Sequence, residues 1–146
     1  AGRRINDAMG PYVAECVAAE LAQQGRGAGA RILVLGLTFK ENVPDLRNSR
    51  VIDIINALRV RGFEVDVHDA FADPAEAAHE YKVELLSSLD GAAPYHCVVG
   101  AVAHDAYAAY GPEDFRRLVV DGGVVADVKG MWRNVDLPDG IRRWQL

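Results

Sequence analysis

Apolar residues recur at spacings of three and four from Ile5 through Met9, Tyr12, Val13, Cys16 and Val17 to Leu21, the stripe of an amphipathic helix. Gly10-Pro11 inside the stripe predicts a kink or interruption, and the glycines at 25–29 end it. Beyond residue 30 the apolar positions become continuous. Residues 31–36 (RILVLG), 63–68 (FEVDVH), 96–102 (HCVVGAV) and 124–128 (VVADV) read as strands. Between them, Val51, Ile54, Ile55 and Leu58 share one face of a helix that Asn48 or Ser49 can cap and that stops at Gly62. Asp73-Pro74 opens a short helix through Tyr81, and 105–110 and 112–118 are helical. A short edge segment is expected at 83–86 and a turn at Gly122-Gly123; the tail 141–146 admits an edge strand.

Strands that alternate with helices and are continuously apolar predict a parallel sheet covered on both faces. The expected fold is α/β, a Rossmann-like doubly wound parallel sheet preceded by the end of a long helix. Residues 1–25 form that helix and 30–146 the sheet domain. Ligands of such sheets bind at the carboxyl ends of the strands, which places 36–40, 102–105 and 127–130 at one crevice. The chain opens inside a helical pattern, so it reads as a piece of a longer protein.

Composition narrows the picture. Half of the 146 residues are hydrophobic, enough for one core. A net charge of -5 argues against nonspecific nucleic-acid binding and anionic membranes. No apolar run approaches the roughly 18 residues of a membrane span. Cys16 and Cys97 sit in apolar segments far apart, which predicts reduced core thiols and a cytoplasmic protein.

The candidate chemistry lies in the loop at 36–49. A dinucleotide cradle needs G-x-G-x-x-G after the first strand. Here one glycine is followed by Leu37, Thr38, Phe39, Lys40 and Glu41, so that cradle is absent. The loop is longer than the 2 to 6 residues common in such connections, roughly the length at which loops tend to be functional. Lys40 and Arg47 suit anionic oxygens, as a point charge and a planar fork. Asp45 is placed to orient Arg47, and Phe39 offers a flat face for a base or sugar. The competing reading is a solvated, charged surface loop. Lys129, after the last apolar strand, is either a second phosphate or sugar contact or a surface lysine. His104-Asp105 suggests an acid–base pair, but the preferred reading has Asp105 capping the next helix and His104 lining the crevice. His68, His79 and His96 show no metal-ligand spacing.

The run Gly36-Leu37-Thr38-Phe39-Lys40-Glu41-Asn42-Val43-Pro44-Asp45-Leu46-Arg47-Asn48-Ser49 resembles the carboxy-terminal domain of the UDP-glucose/GDP-mannose dehydrogenase family, whose pattern there is G-x-x-F-K and then D-x-R-x-S. Residues 2–9 resemble the end of that family's central helix, and 101–105 and 127–130 its later motifs. The wording is similar to the branch that oxidises UDP-N-acetylhexosamines to uronic acids for surface polysaccharides. The resemblance implies an NAD-dependent UDP-sugar 6-dehydrogenase in which Phe39, Lys40 and Lys129 contact the nucleotide sugar, Arg47 reaches toward NAD, and Asp45 and His104 support the site. It implies an amino-terminal NAD-binding domain and a homodimer or larger assembly. The family's G-x-G-G-S-C-type nucleophile motif is absent from these residues, so this stretch alone is expected to be inactive. Two other readings remain: an oligomerisation module that binds no ligand without the other half, favoured by an exposed apolar stripe at 5–21, and an independent NAD-binding domain, disfavoured by the bulky residues after Gly36.

Overall fold

The computed structural model describes the backbone of residues 2–92 and 94–146 and the side chains of 9–92 and 94–146. The elements follow in the order α1 (Gly2–Ala22), β1 (Arg31–Leu35), α2 (Val51–Val60), β2 (Glu64–His68), α3 (Pro74–Tyr81), β3 (Tyr95–Gly100), α4 (Asp105–Ala108), α5 (Pro112–Leu118), β4 (Val119–Asp127) and β5 (Arg142–Gln145). All five strands are parallel, in the order β2-β1-β3-β4-β5.

Alternate side chains of β1 serve opposite faces, as the pleat requires. Ile32 and Val34 join Cys97, Val99, Val124 and Ala126 under α1 and α2. Leu33 and Leu35 join Val98 and Val125 beneath Tyr107, Phe115, Leu118 and Trp132. The predicted parallel sheet with two covered faces is therefore observed. Its tail is a true fifth strand: Arg142 pairs with Glu20 of α1 at 2.9 Å, and the Trp144 ring lies 6.3 Å from that of Tyr12. The expected segment at 83–86 makes a single parallel bridge, Leu85 to Val67.

Four local expectations are corrected. Gly10-Pro11 does not interrupt the helix; α1 continues through Pro11 to Ala22. A Cβ at Gly10 would lie 2.6 Å from the Asp53 backbone, so this glycine lets α1 lie directly on α2. The apolar stripe is exposed only in part: Val13, Val17 and Leu21 are fully buried against the chain's own core, Met9 and Cys16 are partly buried and Tyr12 is half exposed; Ile5 lies outside the described side chains. Gly122-Gly123 is not a turn between elements. It lies inside β4, where the register against β3 shifts between Tyr95 and Cys97; Gly122 adopts φ +80° and Gly123 passes tightly over Val119 and the His96 carbonyl. Finally, neither Asn48 nor Ser49 caps α2. The cap position is Arg50, whose side chain makes no capping bond to the helix, and the Ser49 hydroxyl donates back to the Leu37 carbonyl.

Candidate functional site

The loop after β1 is folded onto the protein from within. Gly36 adopts φ +103°, and a Cβ there would lie 2.5 Å from the Val102 Cβ. Only glycine suits both demands. Leu37, Thr38, Leu46 and Ser49 are buried, the Tyr81 hydroxyl donates to the Leu46 carbonyl, and the Phe39 amide donates to the Asp45 carbonyl at 2.8 Å. The reading of a solvated surface loop is thereby excluded for its anchor positions.

Asp69, at the end of β2, organises the base of the loop. Its Oδ2 accepts the amides of Leu37 at 2.6 Å and Thr38 at 3.1 Å, and its Oδ1 those of Phe71 and Ala72 at 2.8 and 2.9 Å. His104 Nε2 is 3.0 Å from the same Oδ2. Burial acts to raise the Asp69 pKa, but the His104 contact and the amide donors prevail and hold the carboxyl well below the usual carboxylate range. Leu37 and Thr38 follow the glycine of this strand-to-helix turn, where a dinucleotide-binding fold offers free amides to a pyrophosphate. Here those amides are taken by an internal carboxylate. The turn does not fit NAD, as the missing glycines predict.

With the base fixed, Phe39, Lys40 and Glu41 project into a pocket of about 300 Å³. Its walls include Val51 and Ile54 of α2, Ala101 and Val102 after β3, Val128 and Lys129 after β4, and Met9, Arg50 and Leu146. The structure thus brings the predicted residues Phe39, Lys40 and Lys129 together. Lys129 is presented by a turn that Asp127 closes: this fully buried carboxylate accepts the amides of Met131 at 3.0 Å and Trp132 at 2.9 Å. Among the described residues, the cationic side chains of Lys40, Arg50 and Lys129 and the carboxylate of Glu41 line this pocket of an acidic chain. Phe39 is 52% exposed, an aromatic face held in solvent.

The remaining predicted residues lie apart from the pocket lining. Arg47 is on the solvent side, its side chain 84% exposed, and forms a two-pronged pair with Asp45 (Nε–Oδ1 3.1 Å, Nη2–Oδ2 3.2 Å). The Arg47 guanidinium lowers the Asp45 pKa, and Asp45 raises that of Arg47. Asp45 therefore orients Arg47 as expected. His104 is fully buried behind the loop. The expected cap of the next helix comes from elsewhere: Asn42 Oδ1, and not Asp105, accepts the first amide of α4, that of Asp105, at 2.9 Å. The side chain of Asn42 reaches it because the residue sits at φ +62°. Asp69, Asn42 and Arg50 carried no signal in the sequence reading beyond their types. Among the described residues no cluster of ligating side chains suits a metal ion, and no helix is long and apolar enough to cross a membrane.

Residues 33–134 match the model of the UDP-glucose/GDP-mannose dehydrogenase family, UDP binding domain. The chain is 43% identical to Protein CapL of Staphylococcus aureus, over all of this chain and 34% of that one. It is 42% identical to the UDP-N-acetyl-D-glucosamine 6-dehydrogenase of Pseudomonas aeruginosa, over 88% of this chain and 31% of the relative. The chain thus spans about a third of the length of the curated relatives it matches. The crystal structure of an NDP-N-acetyl-D-galactosaminuronic acid dehydrogenase from Methanosarcina mazei superposes with a TM-score of 0.80 at 21% identity, covering 98% of this chain and 30% of that one; it shares the fold.

Proposed function

Because the chain belongs to the UDP-glucose/GDP-mannose dehydrogenase family, we propose that its pocket holds the UDP portion of a UDP-N-acetylhexosamine on which a larger NAD-dependent 6-dehydrogenase acts, in the making of surface polysaccharide. The observation that carries this reading is the convergence of Lys40, Arg50 and Lys129 with the exposed ring of Phe39 in one pocket of a chain whose net charge is -5. Lysine and arginine heads suit the diphosphate, and an aromatic face suits a uracil or sugar ring. Val51, Ile54 and Val102 add apolar walls beside these exposed charges, a surface suited to the flat parts of a nucleotide.

Oxidation of the sugar C6 alcohol requires NAD and a nucleophile, and this reading assigns both to the rest of the larger enzyme. Burial pushes the Cys97 thiol up and away from the reactive thiolate. NAD would be held by an amino-terminal domain, with α1 as the end of the helix that leads to it. Arg47, exposed and already aligned by Asp45, would present its guanidinium toward the cofactor. Assembly into a homodimer belongs to the same proposal, as does a cytoplasmic site of action.

Millimolar UDP should raise the melting temperature of the chain, because a ligand that binds only the native state stabilises it. Lys40→Ala should remove most of that rise. An unchanged melting temperature would favour the second reading, an oligomerisation module that binds no nucleotide by itself.

A further inference from the structure

One imidazole grips both ends of the segment that faces the pocket. His104 Nδ1 lies 2.8 Å from the Asn42 amide, and His104 Nε2 lies 3.2 Å from Thr38 Oγ1 and 3.0 Å from Asp69 Oδ2. Between those anchors lie Phe39, Lys40 and Glu41, all of which line the pocket. The ring is fully buried, with the Phe71 ring 4.8 Å away on one side and the Tyr107 ring at 5.6 Å.

The hydrogen bonds fix the tautomer. An amide N–H can only donate, so Nδ1 must offer a lone pair to Asn42. The proton then sits on Nε2, directed at the Asp69 carboxylate and the Thr38 oxygen. The Thr38 hydroxyl in turn donates a hydrogen bond to the Lys40 carbonyl at 3.0 Å. Thr38, Lys40 and Asn42 are thus tied through one ring and one hydroxyl. Asn42 sits in the left-handed region at φ +62°, a conformation that a non-glycine residue keeps only when its surroundings hold it. Two bonds hold it here, the amide to His104 Nδ1 and Oδ1 from the Asp105 amide.

We infer that His104 is a positioning residue for the nucleotide diphosphate: its unprotonated Nδ1, by holding the Asn42 amide, sets the path of the chain through Phe39 and Lys40. The inference rests on the reading of this pocket as a UDP site. It gives His104 a role through backbone geometry, with no contact to the ligand and no proton transfer to it.

The two nitrogens can be tested separately on this 146-residue chain. In His104→Asn the amide oxygen takes the place of Nδ1 as acceptor, and the Nε2 donor is lost. In His104→Gln the amide nitrogen takes the place of the Nε2 donor, and the acceptor for Asn42 is lost. UDP is titrated into each variant by calorimetry, with the melting temperature of each measured alongside. His104→Asn should bind UDP within about two-fold of the parent, whereas His104→Gln should bind about ten-fold more weakly, as loss of one buried hydrogen bond implies. Equal affinities in both variants, or losses that simply follow their melting temperatures, would overturn the inference. A parent chain that does not bind UDP would overturn the pocket reading first. Nitrogen chemical shifts of the parent imidazole give a test that needs no variant: a protonated Nδ1 at neutral pH contradicts the inference, and a bare Nδ1 with a protonated Nε2 supports it.

Discussion

The carboxylate of Asp69 accepts the Leu37 amide at 2.6 Å, at the turn where a dinucleotide-binding loop would leave that amide to a pyrophosphate. An internal anion has replaced the external one, and the loop is free to present side chains instead of backbone. Asp69→Asn keeps the size but removes the charge and sets a second donor against His104 Nε2 and the Leu37 amide. It should cost about 3 kcal/mol of stability, in the range for breaking a buried, hydrogen-bonded charge. The sign with pH follows from the lowered pKa. A depressed carboxyl contributes its full stabilisation above the unfolded-state value of about 4 and loses it as pH falls below that. Urea unfolding at pH 7 and pH 3 should therefore show a steeper acid loss in the parent than in Asp69→Asn. Equal acid losses would place the stabilisation elsewhere.

Lys40 and Lys129 come from loops after two different strands and meet at one pocket. If both address the diphosphate, Lys40→Gln and Lys129→Gln should each weaken UDP binding about ten-fold, the loss expected for one charge-assisted bond. Raised salt should weaken the parent more than either variant. The comparison is made by calorimetry at two salt concentrations. A Lys129→Gln variant with parental affinity would make it the surface lysine that the sequence also allowed.

Gly36 meets both a positive φ and the close approach of Val102. Gly36→Ala should lose about 3 kcal/mol through strain and overlap together. Denaturant unfolding checks this. A variant as stable as the parent would mean that the loop has room to shift.

Much of this fold and part of the site were legible in the sequence. The apolar run at 31–36 made β1 plain because a strand buried on both faces needs no alternation, and strand ends placed Lys40 and Lys129 at one edge of the sheet. What escaped was long-range. Asp69 follows His68 as an unremarkable polar residue, and its worth comes from amides of residues 37 and 38. Ser49 looked like a helix cap, but its hydroxyl reaches twelve residues back to Leu37. The Arg-Arg-Trp-Gln of β5 shows no apolar pattern, so the sequence admitted an edge strand there without deciding it; Glu20 and Tyr12 of α1 receive its side chains. Pro11 lies inside a helix because tertiary burial at Val13, Ala14 and Val17 outweighs one lost backbone bond.

The two thiols should differ in reactivity. Cys97 is fully buried in β3, and burial pushes its pKa up; Cys16 is partly exposed. A thiol reagent at pH 8 should modify Cys16 in the native chain and reach Cys97 only after unfolding. Mass spectrometry of the labelled peptides reads this directly. Rapid native labelling of Cys97 would contradict the packing of the sheet.

The measurement that bears most directly on the central claim is an amide chemical-shift titration of the chain with UDP. The account predicts saturable shifts concentrated at Phe39, Lys40, Glu41, Val102, Val128 and Lys129, the residues that wall the pocket. It would be contradicted by spectra that UDP leaves unchanged, or by shifts confined to the groove along β2 lined by Asp66, Glu84 and Ser87.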